Sequence, residues 1–197
     1  MSWLQPYENR TMKNIALLIL TIIIVSCNKK TEKDILKPKT SNKVDFFEPA
    51  DLGAFGSKTR LIIYASFDEC GEWGGHEESF EIFSKRDEEF YAKYTRTKVD
   101  CEKIGALYGK PEFQQPYVKK EIKLENKQKA AINEYLLLLV KSKIKEGFPG
   151  HAGQTFGAIK TDSTFVVDVY DRDKKNLENY NRLLKEFNLE IVKYEYL

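Results

Sequence analysis

Cysteine and histidine are scarce in this chain, and charge of one sign is not in surplus; each scarcity removes a class of function. Three cysteines, Cys27, Cys70 and Cys101, and two histidines, His76 and His151, are spread over 197 residues. No two cysteines stand in a Cys-x-x-Cys pair, so a thioredoxin-type redox motif is absent, and so is the short paired spacing of a convincing zinc motif. The 32 basic residues are nearly matched by 30 acidic ones. That balance lacks the basic surplus that neutralises phosphates and argues against a nucleic-acid partner. No apolar run approaches the roughly 20 residues needed to cross a bilayer. There is no internal repeat and no second domain. The glycines at residues 147–153 follow an expected helix rather than a strand, without the lysine and hydroxyl of a phosphate-binding loop, so no cofactor is indicated. What the chain does have is core material: 42% of residues are hydrophobic and 13% aromatic.

The longest apolar run covers residues 15–25 and is interrupted only by Thr21. Lys13 precedes it, and it runs out through Ile24-Val25-Ser26-Cys27: an aliphatic residue, a tolerant position, a small residue, a cysteine. Such a run is too short to span a membrane but suits the hydrophobic region of a signal peptide. With that ending it resembles a bacterial lipoprotein export signal with its lipobox. The resemblance implies that residues 1–26 are removed, with Met12 the expected initiator. It also implies that the Cys27 thiol carries diacylglycerol and that lipid anchors the mature chain in the cell envelope. Each buried methylene would contribute about 0.8 kcal/mol to that residence. Asn28, rather than aspartate, follows the cysteine, which favours the outer over the inner membrane. An ordinary secretory signal or a short uncleaved anchor are the alternatives.

Arg10, Lys13 and Glu8 precede Cys27, so the mature part carries 30 basic and 29 acidic residues. Residues 27–43 read as a lipidated cysteine and a polar, lysine-rich tether that cannot bury enough apolar surface to fold. Residues 44–197 read as one α+β domain. In an oxidising envelope compartment, the two remaining thiols, Cys70 and Cys101, most simply pair. Free buried thiols, or a Cys/His metal set with His76 and His151, remain open alternatives.

Along that domain, residues 60–67 are nearly continuously apolar and predict a central strand. Strands are also expected at 79–83 and 90–97, then at 117–124, as an antiparallel meander. Asn126 is positioned to cap a long helix with an apolar stripe at Ile132, Tyr135, Leu136, Leu139, Val140 and Ile144. A β-hairpin turning at Asp162-Ser163 follows. A short C-terminal helix comes next, capped by Asp173, with its stripe at Leu177, Tyr180, Leu184 and Phe187. Residues 191–194 suggest a last strand.

The chemically dense segment is residues 68–78, with five acids, Cys70, Trp73 and His76 among glycines. Glu72, Trp73 and His76 are the candidate binding residues. A tryptophan between glycines could stack on a sugar or grip an envelope protein. Alternatively it folds inward as a lid on the core. The functional expectation is a non-enzymatic envelope module that binds a partner. The rival is a hydrolase or metal-dependent enzyme in which His76, Glu72 and His151 converge.

Overall fold

A computed structural model of the chain describes residues 45, 47–48, 52–53, 57–86, 89–146, 153–171 and 174–193. The unit Met1–Asn42, which contains Cys27, lies outside them, and so do His151 and Asp173. Within the unit Lys43–Leu197 the fold is α+β. Six strands, β1 (Leu61–Ser66), β2 (Glu77–Arg86), β3 (Glu89–Lys98), β4 (Gln115–Lys123), β5 (Gln154–Lys160) and β6 (Val166–Asp171), form one antiparallel sheet in the order β4-β3-β2-β1-β5-β6. A short helical turn, α1 (Ile104–Leu107), precedes β4, and α2 (Asn126–Ile144) and α3 (Lys175–Glu186) complete the fold.

Alternation decides which face of the sheet is buried. Leu61, Ile63 and Ala65 of β1, Phe80 and Ile82 of β2, Phe90, Ala92 and Tyr94 of β3, and Phe156 and Ala158 of β5 all point to one side. There they form a single cluster with Ile132, Tyr135, Leu136 and Leu139 of α2 and Leu177, Tyr180, Leu183 and Leu184 of α3. The opposite face carries Glu81, Lys85, Tyr91 and Lys93 and is half-buried or exposed.

Both long helices form where expected, with local differences. Glu125 rather than Asn126 caps α2, its N–H donating to Gln128 Oε1 at 3.0 Å. Val140 and Ile144 do not join the core, and Ile144 is 79% exposed. A helix turns about 100° per residue, so a position twelve residues after Ile132 has drifted about 120° around the axis. Ser142 and Glu146 take the inward positions instead. Ser142 donates to Asn176 Oδ1 at 2.8 Å, and Glu146 Oε1 accepts the Tyr170 N–H at 2.6 Å. The strand expected at 191–194 does not form over residues 191–193. The Asn181 amide satisfies that backbone itself, donating to the Val192 carbonyl and accepting the Val192 N–H.

Gly157 is required by contact. It lies under the ring of Tyr64, whose hydroxyl donates to Asp168 Oδ1 at 3.1 Å, and a Cβ at 157 would fall within that ring. Gly157→Val should therefore force Tyr64 off its strand pair. We expect a loss of about 1–3 kcal/mol in urea unfolding; an unchanged midpoint would contradict this packing.

Candidate functional site

One end of the sheet gathers the chemistry. It is the end where β1 stops, β2 starts, β3 stops and β4 starts. Between β1 and β2 the chain makes a tight 3-10 turn, Gly71–Trp73. Gly71 and Gly74 adopt positive φ, 65° and 86°, which their lack of a side chain permits. The turn is closed by Cys70 N–H donating to Gly74 O at 2.8 Å. Cys70 and Cys101 form a disulfide, with alpha carbons 5.3 Å apart. Both thiols that a Cys/His metal set would have used are thereby consumed.

His76 leaves the loop and enters the interior, its side chain only 14% exposed. It shares the core-facing side of the β2 line with Glu78, two residues on. The side chain of Glu78 has no exposed surface. Its two oxygens meet four donors. Oε1 receives Arg96 Nε at 2.6 Å and His76 Nε2 at 3.3 Å. Oε2 receives the Tyr94 hydroxyl at 2.7 Å and the Tyr180 hydroxyl at 3.0 Å. Glu69 holds the other imidazole nitrogen, Nδ1, and also accepts the His76 N–H at 3.0 Å. The ring of His76 lies nearly parallel to that of Phe67, centroids 4.3 Å apart, which places a cation on an aromatic face. Arg96 continues the chain of charges outward, donating to the Glu190 carbonyl at 2.5 Å with the Glu190 carboxylate 3.5 Å away.

The protonation states follow. Burial alone would lower the His76 pKa, but hydrogen bonds and charge from Glu69 and Glu78 outweigh it and raise it to about 9. Burial would likewise raise Glu69, and the imidazolium beside it brings it below the usual carboxylate value. The Tyr94 and Tyr180 hydroxyls are pushed up, first by burial and then by the Glu78 charge. His76 is thus a fixed cation with both nitrogens donating to carboxylates, and the phenols are fixed donors.

Of the three candidate binding residues, His76 is half-buried while Glu72 and Trp73 are exposed. Glu69 and Glu78, not Glu72, hold the histidine. Trp73 is 54% exposed, so the inward-lid alternative does not hold. Its indole meets the ring of Tyr108 edge-on at 5.0 Å, and Tyr108 is itself 57% exposed. The two rings come from the two segments that the disulfide joins. The position of His151 lies outside the described residues.

Glu78, Tyr94, Arg96 and Tyr180 were not singled out as site residues by the sequence. The available signal was alternation: Glu78 falls in phase with Phe80 and Ile82, on the apolar side of its strand.

Beside this network opens a cleft of about 570 Å³, lined in part by Glu69, Arg96, Lys98, Tyr117, Glu190 and Lys193.

Two consequences can be measured. Glu78→Gln leaves Arg96 and His76 short of a buried counter-charge and should cost about 3–5 kcal/mol of stability. The His76 pKa is higher folded than unfolded, so its contribution is complete below about pH 6.5 and is lost as pH rises toward 9. Urea midpoints should therefore fall across that window in the native chain. In His76→Gln this component of the slope should vanish, and an identical slope in both would refute the clamp. No protein-family model, no curated protein and no solved structure matches the chain.

Proposed function

We propose that this chain is a lipoprotein of the bacterial cell envelope, anchored through Cys27, that binds a partner at the disulfide-closed end of its sheet and catalyses no reaction. The observation that carries the reading is Trp73: a half-exposed indole on a covalently stapled turn. Exposing a large aromatic to water costs free energy, and such anchors recur at binding surfaces. Pre-ordering the turn by disulfide and backbone hydrogen bonds lowers the entropy lost on binding. The Cys70–Cys101 bond suits an oxidising compartment, as an exported protein would meet.

The charged network supports binding over catalysis. A histidine acting as general base needs a free nitrogen and a pKa near the working pH. Both His76 nitrogens are engaged, and the raised pKa keeps the ring charged. The Glu69-His76-Glu78-Arg96 chain acts instead as a scaffold fixing the turn and the cleft. The tether of residues 28–42 would set the reach from the anchored lipid, at most about 50 Å if fully extended. Anionic headgroups could meet its lysines.

Two measurements test this. Mass spectrometry of the native protein should find an N-terminal Cys27 peptide carrying diacylglyceryl; an unmodified Cys27 with residues 1–26 still attached would remove the anchor. Native purification of the full chain from its envelope should yield a bound protein or glycan that Trp73→Ala loses, while stability stays within about 0.5 kcal/mol. Equal recovery of that partner by both proteins would dismiss Trp73 as its anchor.

A further inference from the structure

We propose that the cleft beside the Glu78 network receives a neutral glycan, with Tyr117 as the stacking platform. This assignment rests on the binding reading above and names the partner's chemistry.

The first support is a break in the strand pairing. Between β3 and β4, Arg96 faces Val118 and Thr97 faces Pro116, so two steps along β4 match one along β3. Tyr117 is the extra residue, with no partner on β3. A bulge of this kind bends its strand and re-aims a side chain, and it recurs at sheet edges beside functional sites. Here it lies on an edge strand, where the missing N–H of Pro116 is tolerated. Tyr117 lines the cleft and is 68% exposed. A core-building role does not account for so exposed a ring at so irregular a position.

The second support is the balance of charge. His76, Arg96, Lys98 and Lys193 line the cleft with Glu69 and Glu190, and the buried Glu78 behind them pairs with His76 and Arg96, so charges of both signs sit side by side. Arg96 is already engaged by Glu78 and Glu190. An anionic ligand would meet Glu69 and Glu190, and a cationic one would meet Lys98 and Lys193. A polyhydroxylated neutral ligand avoids both conflicts. Each hydroxyl both donates and accepts, so carboxylates and ammoniums can serve it together. The flat C–H face of a pyranose then covers the phenol ring.

Size points the same way. The volume falls in the range of about 300–1,000 Å³ typical of small-ligand sites. A stable protein interface instead buries about 800 Å² on each partner, more than a cleft of this kind with one ring platform offers.

The test uses the full chain in detergent micelles. It is titrated calorimetrically with neutral gluco-, xylo-, manno- and chito-oligosaccharides, and with oligogalacturonate as the anionic arm. We expect at least one neutral oligosaccharide to bind with Kd between about 1 μM and 1 mM. Tyr117→Ala should weaken it by about tenfold or more, and Tyr117→Phe, which keeps the ring, should retain it. Raising salt to about 0.5 M should leave the affinity unchanged, because no net charge is neutralised. The assignment is overturned if no neutral sugar binds at about 10 mM. It is equally overturned if oligogalacturonate binds in preference, or if Tyr117→Ala binds as the native chain does. Should the native partner of the Trp73 surface prove to be a protein while no neutral sugar titrates, the glycan assignment fails and the binding reading stands. If neither is found, both fall.

Discussion

A carboxylate taken wholly out of water needs donors on every side, and Glu78 imposes that requirement on one end of this sheet. The four donors come from three places in the chain: His76 from the entrance of β2, Tyr94 and Arg96 from β3, Tyr180 from α3. Meeting all four at once fixes the register of β2 against β3 and the position of α3 over both. A one-residue slip of β2 would turn Glu78 to the open face and bring Glu77 or Ser79 into the core. Hydrophobic replacement of such a network can leave a protein as stable as before. We therefore read its value here as specification of one geometry rather than as net stability.

That geometry reaches the surface by two routes. Through Glu69 the network holds the turn that carries Trp73, since Glu69 grips both the ring and the backbone N–H of His76. Gly75 makes room for this grip: a Cβ there would collide with the Glu69 side chain and the Phe67 carbonyl. Through Arg96 the network reaches Glu190 and the cleft. The disulfide adds a covalent link between the Trp73 turn and the segment leading to Tyr108. An interior charge arrangement and a surface aromatic pair are thus parts of one rigid construction.

The elements whose burial follows a short period were legible in the sequence: the strand at 60–67, the hairpin at 162–163, the stripe of α3. The first is legible from a nearly continuous apolar run, which predicts a strand covered on both faces, whereas β1 buries Leu61, Ile63 and Ala65 on one face and leaves the other half-buried. The hairpin is legible from its turn residues, and the α3 stripe from three-to-four spacing that holds over its short length. Extending the α2 stripe to Val140 and Ile144 failed because the mismatch between spacing and helical pitch accumulates with length. Residues 191–193 have strand-like composition, yet one asparagine side chain satisfies Val192 more locally than a neighbouring strand would. The disulfide was legible because only two cysteines follow Cys27, and the expected export would bring them to an oxidising compartment where they most simply pair. The network was not, because a buried glutamate beside four other acids looks like one more solvated charge. Only its phase with Phe80 and Ile82 distinguishes it, and that phase counts only once β2 is known to begin at Glu77. The bulge at Tyr117 was hidden for a related reason: it depends on two strands counted against each other, which neither strand records alone.

The charge state of His76 has a bearing on the proposed setting. A protein in the cell envelope would lie beyond the cytoplasmic buffer, and an ordinary histidine would change charge within the pH range met there. A histidine that switched would tip the balance of Glu69, Glu78, Arg96 and Glu190 and disturb the turn with it. Two carboxylates, against the opposing effect of burial, raise the pKa of this one to about 9, while its ring stacks on Phe67. On the binding reading, the same clamp, which engages both ring nitrogens, keeps the charge beside the cleft constant. A binding surface gains from that constancy, whereas acid–base catalysis would need the opposite.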